Sequence, residues 1–90
     1  MEKPKKSILP LSLAEPGREM ILEEITGGRR LRGRLSDMGL VKGTCFKMIQ
    51  RFRSGPCVIA LGDTRLALGR GMCSKILVSE KEKKEVSQNG

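Results

Sequence analysis

Ninety residues with a formal charge of +8, no histidine, tryptophan or tyrosine and only two phenylalanines describe one small domain whose core must be built from Leu, Ile, Val and Met. No apolar run approaches the ~18 residues that span a bilayer and no signal peptide is visible, so a soluble, cytoplasmic chain without direct membrane insertion is expected. With no histidine and only scattered carboxylates, the chain lacks the nucleophile–base pair or metal centre that an enzyme holds in a cleft; neither catalysis nor a cofactor is expected.

The ends differ from the middle. Residues 1–6 (MEKPKK) and 80–90 (EKEKKEVSQNG) are polar and charged, and they read as a disordered basic head and a disordered charged tail. Residues 7–79 remain as the folded unit. Within it Pro16-Gly17 is a turn signal, and residues 18–25 form a β-compatible run. Met20 and Leu22 share one face of that run while Ile21, Glu23 and Ile25 share the other. Apolar groups on both faces imply a strand beside a barrel core or one carrying a bulge.

The stretch GGRRLRGRLSDMGL (27–40) follows. Leu31, Leu35 and Met38 stand at i, i+4 and i+7, one narrow apolar stripe of a helix, and Arg29, Arg30, Arg32 and Arg34 fall on the remaining arc. Gly39 suits the position just past the helix end, and Leu40 after it is placed to fold back onto Leu35. Asp37 sits in the last turn, where a carboxylate opposes the helix dipole. Its alternatives are a pair with Arg34 or backbone N–H groups of a neighbouring loop. The Gly27-Gly28 entry lacks the lysine and hydroxyl of a nucleotide-binding loop, so it reads as a sharp strand-to-helix turn.

After Leu40 the period becomes two. VKGT (41–44) is a turn carrying Lys42 and Gly43. TCFKMIQRF then places Phe46 and Met48 on one face and Lys47 and Arg51 on the other. RSGP (53–56) is a hairpin connection, CVIAL a second strand, Gly62-Asp63 a tight turn, TRLAL a third strand, GRGMCSK a helical turn and ILVS the last strand. Five short strands with one helix after the first predict a mainly β fold, a small SH3-like barrel.

Cys45, Cys57 and Cys73 form no CxxC pair and lack histidine partners, which favours reduced, buried thiols over a metal site and leaves any metal assignment open. The local positive charge over residues 29–53 suits an acidic partner. Solvation of the helix face alone is the simpler alternative. Nucleic acid is a third reading, weakened because Phe46 is expected inside and only Phe52 is left to stack a base.

PLSLAEPG, GGRRLRGRLSDMGLVKGT and GDTRLALGRGMCSKILV together resemble the ferrous-iron transport protein A (FeoA) family, in order from about Leu9 to Val78. The same module is similar to the C-terminal domain of iron-dependent repressors of the diphtheria-toxin-repressor type, without the DNA-reading helices those repressors carry. Lys42 stands where the family often has proline. The resemblance implies an SH3-like barrel, a cytosolic accessory role in bacterial ferrous-iron uptake, and docking on the cytosolic GTP-binding part of the membrane transporter FeoB. Arg29, Arg30, Arg32, Arg34, Asp37 and Lys42 are then the candidate contact residues. Gly27, Gly28, Leu31, Leu35, Met38, Gly39, Leu40 and Gly43 are the framework that holds them. No nucleic acid is expected as partner; a nucleic-acid-binding or repressor-type module is the alternative.

Overall fold

The computed structural model describes residues 7–81. The expected head, and the expected tail beyond Lys81, lie outside the described residues. In chain order β1 (Leu9–Pro10) leads into a 3-10 turn (Leu11–Leu13), then β2 (Glu19–Ile25), α1 (Arg29–Asp37), β3 (Cys45–Arg51), β4 (Cys57–Leu61), β5 (Thr64–Leu68), α2 (Arg70–Cys73) and β6 (Ile76–Glu80). The strands make one antiparallel sheet in the order β1-β6-β2-β3-β4-β5.

Six strands therefore replace the expected five. The extra one is β1, in which Leu9 and Pro10 lie opposite Val78 and Leu77. Two residues give no alternation to read, and a proline, having no N–H to donate, is tolerated in a sheet only at such an edge. The last strand also runs one residue further than expected, with Glu80 opposite Met20. No pairing joins β1 to β5. Instead α2, which follows β5, lies against the 3-10 turn that follows β1. Leu11 from that turn and Cys73 from α2 are both fully buried in the same core, so the barrel closes on packed side chains rather than on a hydrogen-bonded seam.

The mixed apolar pattern of β2 is resolved by a bulge. Leu22 pairs with Val78 but Glu24 with Leu77, leaving Glu23 as the extra residue. One added residue reverses the facing of everything after it. Met20 and Leu22 point inward before the bulge and Ile25 points inward after it, all three buried. The buried Ser79 hydroxyl donates to Glu23 Oε2 at 2.5 Å, so the bulged carboxylate satisfies a polar group that the core would otherwise strand.

The alternation in β3 and β4 reads as the pattern implies. Phe46 and Met48 are buried, as are Cys57 and Ile59, and Phe46 supplies the only aromatic ring of the core. Cys45 is the exception to the expected buried thiols. It lies one residue before Phe46, shares its face with Lys47, and is exposed. Cys57 and Cys73, sixteen positions apart in the chain, meet inside the barrel. The Cys73 thiol donates to the Leu68 carbonyl at 3.3 Å. Burial first, then its hydrogen bond with Cys57, pushes its pKa from 9.0 up to about 12.

Two results follow for the thiols. An alkylating reagent should modify one cysteine of the native protein quickly, Cys45, and the other two only as fast as the domain opens. Because the folded pKa of Cys73 lies above the unfolded value, its protonated form favours the native state fully below about pH 9, and that contribution is lost as pH rises toward 12. Urea midpoints should fall more steeply above pH 9 for the wild type than for Cys73→Ala.

Candidate functional site: the groove beside α1

Helix α1 is held at both ends by glycine, for different reasons. At its entry, a Cβ on Gly27 would run into the Leu31 side chain, including Leu31 Cβ at 3.0 Å. The helix lies so close to the end of β2 that no side chain fits. Gly28, the N-cap residue, has φ −79° and ψ −173°, ordinary extended backbone, with nothing within 4 Å of an added Cβ. The same substitution at the two neighbours should therefore act in opposite directions. Gly27→Ser overpacks the turn and is expected to cost about 1–3 kcal/mol. Gly28→Ser supplies a capping hydroxyl and is expected to stabilise by a few tenths of a kcal/mol. Urea unfolding of both variants checks the pair, and equal midpoints would refute it.

At the exit, Gly39 has φ +92°. Its N–H donates to Ser36 O at 2.9 Å and the Leu40 N–H donates to Leu35 O at 2.8 Å. This pair of bonds is a Schellman closure, and it turns Leu40 back into the core beside Leu35, where both are buried. Leu31 and Met38 complete the stripe, half-buried against the same cluster. The turn after Leu40 is stitched to β2: the Gly43 N–H donates to Leu22 O at 2.8 Å, and the Leu22 N–H donates to Thr44 O at 2.9 Å. Gly43 adopts φ +93° there. The Thr44 hydroxyl accepts from the Val41 N–H at 3.2 Å and donates to Gly39 O at 3.3 Å.

These ties leave an open groove of about 340 Å³ between β2, α1 and the turn. Leu22 and Ile25 come from β2, Leu40 and Val41 from the turn, and Arg32, Ser36, Lys42 and Glu24 stand around them. Val41 is 47% exposed, a large apolar side chain facing solvent beside two cations. The Arg32 guanidinium donates to Ile25 O at 3.4 Å, which spans the gap between helix and strand and fixes one edge of the groove.

Of the candidate contact residues singled out in the sequence, the structure brings Arg32 and Lys42 to this groove, together with Leu40 of the framework. Arg29, Arg30 and Arg34 are exposed on α1 outside it, with no ion pair or side-chain hydrogen bond among the described residues. Asp37 is also exposed and makes neither of its anticipated contacts, having no ion pair with Arg34 and no backbone N–H partner among the described residues. Sequence reasoning missed Glu24, Ser36 and Val41. Val41 had a signal: an apolar residue between the helix cap and Lys42, belonging to no period.

No group of three His, Cys, Asp or Glu side chains able to share a metal ion occurs among the described residues. No helix among them is long and apolar enough to cross a membrane.

The fold class is thus an SH3-like barrel with a basic helix inserted between its first two long strands and a groove beside that helix. The comparison with known proteins agrees. Residues 9–80 match the FeoA domain family. A Methanocaldococcus jannaschii protein, which carries the name Fe(2+) transport protein A in provisional form, is 37% identical over 73 residues, covering 81% of this chain and 88% of its own length. A crystal structure of an iron uptake regulatory protein, FeoA, superposes with a TM-score of 0.77 at 32% identity, over 83% of this chain and 100% of that one. The chain belongs to the FeoA family and is a ferrous-iron transport-related protein. A manganese-dependent transcriptional repressor has the same fold, with a TM-score of 0.76 at 15% identity over 87% of this chain and 44% of its own. That likeness concerns the fold alone.

Proposed function

We infer that the protein is a cytoplasmic accessory and regulatory component of ferrous-iron uptake that acts by docking on the cytosolic GTP-binding part of the membrane transporter FeoB. Family membership supports the iron-uptake side of this reading. The observation that supports docking is the juxtaposition of an open groove with cations of which Arg29, Arg30, Arg34 and Lys42 have no partner among the described residues. Val41, standing over a floor of Leu22, Ile25 and Leu40, offers apolar surface to an inserted side chain, and burying it supplies affinity at about 25 cal/mol per Å². Arg29, Arg30 and Arg34 on the adjoining helix, with Arg32 and Lys42 at the rim, supply orientation and rate toward an acidic surface. In this reading the protein performs no catalysis and leaves the metal to the transporter.

Calorimetric titration of the transporter's isolated cytosolic domain with this protein, at low and high salt, tests the reading. Binding is expected, weakening as salt rises. Unchanged binding by the Arg30→Glu, Arg32→Glu, Arg34→Glu triple variant would remove α1 from the interface.

A further inference from the structure

A second groove, sharing no residue with the first, opens between the β3–β4 turn and α2. It measures about 580 Å³, within the size range of small-molecule sites. Arg51, Arg53 and Arg70 line it, and among the described residues no carboxylate does. The Arg51 guanidinium donates to Ser12 O at 3.2 Å, which lays that side chain across the groove toward the 3-10 turn. Arg53 and Arg70 make no ion pair or side-chain hydrogen bond among the described residues.

Phe52 stands between Arg51 and Arg53 in the chain and is 46% exposed at this groove. It is one of only two aromatic residues of the protein, and the other, Phe46, is buried. In a domain so short of large apolar groups, the core would gain by taking the second ring as well.

An exposed ring beside two guanidinium groups that meet no acid among the described residues is complementary to a flat ring that carries phosphate. We propose that this groove binds a nucleotide, its base stacked on Phe52 and its phosphates held by Arg53 and Arg70. Stacking on an aromatic face tolerates any base, and guanidinium forks match phosphate oxygens in geometry as well as in charge. An acidic peptide would use the arginines but leave the ring without a role. The nucleotide could come from two sources, a free nucleoside phosphate or one unit of a single strand, and the two share this chemistry.

The test is titration of the full chain with adenosine diphosphate, inorganic pyrophosphate and a short oligouridylate, each at low and high salt. Adenosine diphosphate is expected to bind at least tenfold more tightly than pyrophosphate. Phe52→Ala should weaken adenosine diphosphate roughly 5- to 150-fold and leave pyrophosphate unchanged. The Arg53→Glu, Arg70→Glu double variant should weaken both, while Arg30→Glu on α1 should weaken neither. Tighter binding of oligouridylate than of adenosine diphosphate identifies a single strand as the source; the reverse order identifies the free nucleotide. All three residues are exposed, so the variants should keep the unfolding midpoint of the wild type. Amide shifts in the wild-type protein check the site without any substitution, and they should fall on Gly55, Gly71 and Ser74. Absence of submillimolar binding by both nucleotide probes, equal affinity for pyrophosphate, indifference to Phe52→Ala, or shifts confined to α1 would each overturn the proposal.

Discussion

Leu35→Ala is expected to leave the protein substantially unfolded at 25 °C. Leu35 is fully buried and is the point where the helix, its Schellman closure and the barrel core meet. Truncating a buried leucine costs about 2.7–5 kcal/mol, the larger values applying where the cavity cannot collapse. Here collapse is resisted on two sides: Leu40 is held by its bond to Leu35 O, and Gly27 fixes how close the helix comes to β2. A single core in a domain of this size supplies only about 3–5 kcal/mol of net stability. One substitution can therefore consume all of it. Circular dichroism with urea titration measures the loss. Leu31→Ala, half-buried on the same stripe, provides the contrast and should cost clearly less. Equal losses would mean that the two leucines anchor the helix equally, against the burial that separates them.

For the docking proposed above, reversing Arg30, Arg32 and Arg34 to glutamate is expected to slow association with the transporter's cytosolic domain by roughly 10- to 1000-fold at low salt. The triple change moves six units of charge on α1, Arg32 at the groove edge and Arg30 and Arg34 outside it, and none of the three is held by an ion pair among the described residues. No compensating internal contact is broken, apart from the Arg32 bond to Ile25 O. The loss should fall mainly on the association rate and shrink as salt rises, because exposed charges are screened beyond ~8 Å at physiological ionic strength. Replacing Val41 by aspartate should instead raise the dissociation rate, because it removes apolar contact within the groove. Stopped-flow association at two salt concentrations separates the two. An effect of the arginine reversal that is independent of salt would point to a misfolded helix rather than to a charged interface.

Much of the fold was legible because this chain relies on strong local signals. The stripe Leu31, Leu35, Met38 and the Gly39-Leu40 exit define α1 and its closure without reference to anything distant, since both are set by helical geometry and by the freedom of glycine at positive φ. The strands CVIAL and TRLAL are read residue for residue, because a two-residue turn with Gly62 at φ +62° fixes their register. Even the exposure of Cys45 was available, as it alternates with Phe46. Only the general habit of cysteine to be buried argued otherwise.

Sequence by itself thus determined α1 and the five longer strands, where the charge lies, and which side chains β3 and β4 turn inward. All of these depend on spacings of four residues or fewer. Tertiary structure alone decided the rest. It paired Leu9-Pro10 with β6 across nearly seventy residues, placed the extra residue of β2 at Glu23, and brought Cys57 to Cys73. It also divided the basic residues between two grooves, Arg32 and Lys42 at one, Arg51, Arg53 and Arg70 at the other. The physical reason is that a groove is the gap between elements. Its lining depends on how closely they approach, and that approach is set by side chains far apart in the chain.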